Sequence, residues 1–128
     1  DGILQTIEFM KEDFEGLLFT NLVDFDAMYG HRRNIQGYKE AIEAFDVQLG
    51  ELLRILREKD LLILTADHGN DPGFRGTDHT REMVPLVIYQ KGIEPGPIGT
   101  LAGFYHVGET VATYLGVPGT GLGESLIP

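Results

Sequence analysis

A short apolar run, Leu61, Leu62, Ile63 and Leu64, leads directly into a glycine-rich polar stretch, Thr65-Ala-Asp-His-Gly-Asn-Asp-Pro72 and on through Gly76-Thr-Asp-His-Thr-Arg-Glu82. The run is short, aliphatic and bounded by polar residues, which predicts a buried strand. Neighbouring residues of an extended chain point to opposite faces, so Asp67 and His68 cannot both enter a core. A loop that serves a site accommodates both. His79 adds a second imidazole to the same loop system. Aspartate and histidine together are donors for a divalent metal. The chain has no cysteine, so the donors are oxygen and nitrogen, which favours Mn, Zn, Fe or Mg over a thiolate zinc site.

The remaining pattern surrounds that strand with alternating helices and apolar runs. Ile3, Ile7, Met10 and Phe14 recur at helical spacing and predict a helix from Asp1 to about Asp13. Gly16 ends it, and the nearly all-apolar residues 17–23 read as a strand buried on both faces of a parallel sheet. Residues 24–33 are polar and irregular and read as a loop. Asn34 is placed to cap a second helix whose apolar face is Tyr38, Ala41, Ile42, Phe45, Leu49, Leu52 and Leu56, running to about Lys59. Residues 61–65 and 84–89 are the next two strands, with Pro85 tolerable at a strand entrance. Residues 91–103 are rich in glycine and proline and read as loop. Residues 107–115 form a last helix, capped by Gly116. The tail, with four glycines and two prolines over residues 116–128, is expected to be irregular. The order predicts an α/β fold, a three-layer α/β/α sandwich with a mostly parallel sheet. Ligands in such sheets bind beyond the carboxyl ends of the strands, where Asp26, His31, Asp67 and His79 all fall.

Bulk properties exclude several functions. The 128 residues suffice for one domain with a core, and the 42% hydrophobic and 23% charged content is that of a soluble globular chain. No apolar run approaches the roughly 20 residues that span a bilayer, so no membrane partner is expected. A net charge of −10 argues against nucleic acid as a partner. It leaves room for a phosphorylated substrate if bound cations reverse the local field, and Arg32, Arg33, Arg75 and Arg81 lie beside the candidate ligands. The absence of cysteine fits a cytoplasmic location. The chain begins with Asp1, and its first residues read as the inside of a helix, the expectation being a piece of a longer protein.

Each candidate ligand taken alone is equally at home capping a turn or bonding backbone. Asp26 and His31, in an Asp-x4-His spacing, are weak by themselves. Asp67 with His68 is stronger, and together with His79 at the ends of neighbouring strands they point to a metal site. Five candidates exceed one four-coordinate metal with an open position, so two metals are expected. A two-metal site is a device for phosphoryl transfer, stabilising both attacking and leaving oxygens.

The strings Thr65-Ala-Asp-His-Gly-Asn-Asp-Pro72, Gly76-Thr-Asp-His-Thr-Arg-Glu82 and Val84-Pro-Leu86 closely resemble the phosphopentomutase family of the alkaline phosphatase superfamily. Asn21-Leu-Val-Asp-Phe-Asp26 and Tyr29-Gly-His-Arg-Arg33 resemble the metal motif that precedes them in that family, and the similarity runs from the first helix to about Val107. The resemblance implies an incomplete alkaline phosphatase-like core and a binuclear site with two Mn2+. Asp26, His31 and His79 would serve one metal, and Asp67 and His68 the second. That second metal also takes, in the family, an aspartate from near the N-terminus and the catalytic threonine. The implied activity interconverts 1- and 5-phosphates of ribose or deoxyribose through a phosphothreonine and a bisphosphate intermediate, within nucleoside catabolism. Arg32, Arg81, Thr77 and Thr80 are candidates to steady the ligands or contact phosphate.

None of Thr6, Thr20, Thr65, Thr77 or Thr80 stands in the nucleophile's motif, so no catalytic residue is expected in this chain. Residues 1–128 are expected to be the C-terminal portion of the metal-binding core domain, partnered by the rest of that core and by a cap domain that contacts the pentose phosphate. An exposed sheet edge follows where an N-terminal strand would pair. His106 departs from the family's usual acidic residue and reads as a helix-terminal or surface histidine. Two alternatives stay open: another phosphatase or mutase of the superfamily, such as a cofactor-independent phosphoglycerate mutase, and a non-catalytic fragment as isolated.

Overall fold

A computed structural model describes residues 2–128; Asp1, the expected start of the first helix, lies outside the described residues. The elements run α1 (Gly2–Phe9), a π-helical turn (Phe25–Gly30), α2 (Ile35–Ile55), β1 (Leu62–Thr65), β2 (Leu86–Tyr89) and α3 (Tyr105–Leu115). The chain divides into two compact units. One comprises residues 2–13 and 19–93, the other residues 14–18 and 94–128.

In the first unit the core forms where two helical stripes meet. Ile3 and Ile7, one turn apart on α1, pack with Leu52 of α2, each less than 5% exposed. Met10, Leu22, Phe45, Leu49, Ile55 and Leu62 close around them. Burying each of Ile3, Ile7 and Leu52 contributes roughly 1.5–3 kcal/mol. The helix α1 is shorter than its apolar spacing suggests. After Phe9 the chain tightens, with Lys11 and Glu12 donating to carbonyls three residues back at 3.1 and 3.0 Å. Asn34 caps α2 as expected, its side chain accepting from Gly37 N at 2.9 Å. The helix stops at Ile55 instead of Lys59, because Leu56 turns to ψ 136° and Asp60 folds back to accept from Arg57 N at 2.7 Å.

Three expectations are corrected. Residues 24–33 are not an irregular loop. The His31 and Asn34 amides donate five residues back, to Asp26 O and Tyr29 O at 2.9 and 3.0 Å, around the π-helical turn. That turn leans on α2 through Phe25, whose ring lies 5.8 Å from Tyr38 and 6.1 Å from Phe45. Residues 17–23 form no strand among the described residues. Leu17, Phe19 and Val23 are 63%, 79% and 55% exposed, and a strand needs a neighbour to complete its ladder. Finally, the two strands are antiparallel, pairing Leu62 with Tyr89 through Thr65 with Leu86. A parallel pair needs a crossover, usually a helix. Residues 66–85 hold none and fold back on themselves at a bridge between Gly69 and Thr80. Among the described residues the structure is thus α/β, with one two-stranded antiparallel sheet.

The second unit is α3 and the tail it holds. Gly116 sits at φ 65°, the left-handed conformation that ends a helix without a Cβ penalty. The fully buried Thr110 hydroxyl donates to His106 O at 2.7 Å and accepts from Leu126 N at 2.9 Å. Glu109 accepts from the Thr120 amide and hydroxyl, both at 3.0 Å, and from Gly121 N at 3.3 Å. His106, near the start of α3, accepts from Glu124 N at 3.1 Å, so its described role is to hold the tail. No helix is long and apolar enough to cross a membrane among the described residues.

Candidate metal centre

The site lies in the first unit, where the π-helical turn and the loop between β1 and β2 meet. The wide turn presents Asp26 and, just beyond it, His31. The loop, closed at its base by the Gly69–Thr80 bridge, returns His79 to the same point. One donor atom from each of Asp26, His31 and His79 lies within 4.8 Å of the others. His31 Nε2 is 3.3 Å from Asp26 Oδ2, His79 Nε2 is 3.4 Å from Asp26 Oδ1, and the two Nε2 atoms are 3.0 Å apart.

These spacings suit an ion. Ligand atoms bound about 2.1 Å from one metal stand about 3.0–3.4 Å from each other in octahedral or tetrahedral arrangement. The ring chemistry agrees. His31 Nδ1 donates to the Thr77 carbonyl, which fixes the tautomer and leaves Nε2 with its lone pair facing the site. Two imidazole Nε2 atoms and a carboxylate facing one another form the donor set of a divalent metal, and the residues fit one.

Asp26 is held as well as placed. Asn70 Nδ2 donates to its Oδ1 at 2.6 Å. Burial pushes the Asp26 carboxyl up, but the Asn70 hydrogen bond and the electrostatic influence of the neighbouring His31, His79 and His68 side chains together outweigh burial and hold it below the ordinary carboxylate range. It stays a ready anion.

The other expected pair stands next to this triad. His68 stacks on His79 with ring centroids 3.6 Å apart, and its Nε2 is 3.6 Å from Asp67 Oδ2. The Asp67 side chain is 86% exposed. Asp67 and His68 therefore offer donors beside the triad without joining it. Thr77 contributes its carbonyl to His31, whereas Thr80 braces the loop through its side chain. Its Oγ1 accepts from Asp71 N at 2.6 Å and donates to the Glu82 carboxylate. Arg81 lines an open hollow of about 250 Å3 together with Phe74, His79, Thr80 and Glu82. Arg32 is exposed.

Two residues carry more of this geometry than the sequence suggests. Asn70 has no role in the sequence reading, and its only signal is its place directly after Asp67-His68-Gly69. Arg33 is grouped there with other nearby arginines and given no task, yet it bonds the loop at several points (below).

Comparison with known proteins gives the family. The family model of the metalloenzyme superfamily matches residues 1–119. A phosphopentomutase of Alkaliphilus metalliredigens is 52% identical over 126 residues, 98% of this chain and 32% of the relative. One of Acetivibrio thermocellus is 52% identical over 128 residues, 99% of the chain and 33% of the relative. One of Clostridioides difficile is 51% identical over 118 residues, 91% of the chain and 30% of the relative. The chain spans about a third of the length of the curated relatives it matches. The resemblance carried by the Asp67-His68 and Gly76–Glu82 motifs is borne out, and the donor set and the family agree on a divalent metal. The chain belongs to the metalloenzyme superfamily and, along nearly all its length, is similar to phosphopentomutases.

Proposed function

We propose that this chain is the metal-holding, C-terminal portion of the core domain of a cytoplasmic phosphopentomutase. The observation that carries the reading is the convergence of Asp26, His31 and His79 from two separate segments onto one point, in a chain about half identical to phosphopentomutases. The rest of that core would supply the strands that complete a three-layer sandwich, and a cap domain would contact the sugar. The substrates are ribose or deoxyribose 1- and 5-phosphates.

Two Mn2+ would be held, one by Asp26, His31 and His79 and one by Asp67 and His68 with donors from outside this chain. Bound metal supplies charge stabilisation for phosphoryl oxygens as phosphate moves between threonine and sugar. The chain's own residues supply the frame. His31, steadied by Thr77, and Asp26, steadied by Asn70, keep fixed donor directions. Arg81 opens on the hollow beside His79, where an anionic group would meet a positive charge. The nucleophilic threonine belongs to another part of the protein, so residues 1–128 alone are expected to have no mutase activity.

The test uses the whole protein. It should interconvert ribose 1-phosphate and ribose 5-phosphate, lose that activity on chelation and regain it with Mn2+. Full activity after metal stripping, or turnover of phosphoglycerate in preference to pentose phosphate, would overturn the proposal.

A further inference from the structure

Among the described residues, Arg33 is the one non-glycine residue with positive φ, at 53°. L-residues reach that conformation at a cost, and it persists where surroundings over-determine it. Here the surroundings are five acceptors. Arg33 Nη1 donates to Gly30 O at 3.1 Å, Asn70 Oδ1 at 2.7 Å and Asp71 O at 2.8 Å. Its Nη2 donates to Asp78 O at 2.6 Å, and its Nε to Gly76 O. Asn70 and Asp71 begin the metal-side loop, Gly76 and Asp78 end it, and Gly30 closes the π-helical turn. One guanidinium thus joins both ends of the loop to the turn that carries Asp26.

The Asn70 amide makes this more than bracing. Its Oδ1 accepts from Arg33 while its Nδ2 donates to Asp26 Oδ1, so the arginine decides which way round the amide lies. Asn70 also rests directly on Gly30, where a Cβ would come within 2.5 Å of its Nδ2. With Oδ1 engaged, Asp26 turns Oδ2 toward His31 Nε2.

We infer that Arg33 is a positioning residue for the metal centre, acting through Asn70 to fix the Asp26 carboxylate and through the Gly76 and Asp78 carbonyls to set His79. The inference rests on the metal-site reading above. Lysine, a single point charge on a flexible stem, cannot reproduce the planar fork.

In the whole protein, Arg33→Lys and Asn70→Ala should each weaken Mn2+ binding by about 10–100-fold, as loss of an outer partner of a metal ligand does. Titration calorimetry reads this directly. The loss should appear in the metal Kd, with kcat at saturating Mn2+ largely recovered. Because the two residues form one relay, the double variant should bind within about threefold of the weaker single variant. A merely structural role would lower the melting temperature of the metal-free protein and leave the metal Kd unchanged. Folded variants whose Kd stays within about twofold of the unsubstituted protein, or losses that multiply in the double variant, would overturn the inference. Should Arg33→Lys fail to fold, Asn70→Ala decides alone. If the unsubstituted protein binds no Mn2+, the metal reading falls and this inference with it; if it binds and the variants bind equally, only the inference falls.

Discussion

Two glycine-rich segments without helix or strand, the loop over residues 66–85 and the tail over residues 116–128, are built from similar residues and do different things. The tail is held by side chains of α3. Glu109 spends its carboxylate on three donors, and Thr110 both gives and accepts. At the loop, by contrast, His79 faces Asp26 and His31 of the π-helical turn, with potential metal-ligand atoms 3.0–3.4 Å apart. Glycine content marks both as irregular. The saturation of the acceptors separates a clasp from a binding site.

The sharpest way to break this contrast is to remove one of the facing donors. His79→Ala should weaken Mn2+ binding by more than about 100-fold, beyond the effect of any outer partner, and leave the tail's stability untouched. Calorimetry on the whole protein measures the first effect and denaturant unfolding the second. A variant that binds Mn2+ normally would place the metal elsewhere. On the other side, Thr110→Val keeps the shape of the side chain and strands the Leu126 amide. That should cost about 1–3 kcal/mol of stability, read as a lower denaturant midpoint, with the Mn2+ Kd unchanged. A weakened Kd there would show that the tail is not merely a clasp.

The sequence made some of this plain and hid the rest for physical reasons. The Asn34 cap and the Gly116 stop are local, because each depends on one residue's own conformation and near neighbours. Asp26, His31, Asp67, His68 and His79 stood out because histidine is scarce, and three of the chain's four histidines fall in these motifs beside aspartates. Residues 17–23 misled because an apolar run looks the same whether or not a neighbour is there to pair with it. Strand direction lies in the connection, and the foldback at Gly69 and Thr80 leaves no trace in residues 62–65 or 86–89. Six residues of π-helix are too few to show a period. Arg33 and Asn70 were opaque because their importance comes from contacts more than thirty residues away in sequence.

The central claim is that one metal sits where the π-helical turn and the loop meet. Anomalous scattering at the manganese edge, from crystals of the whole protein grown with Mn2+, tests it most directly. The account predicts a peak about 2.0–2.2 Å from Asp26 Oδ2, His31 Nε2 and His79 Nε2 together. Ordered side chains at all three positions with no peak between them would contradict it.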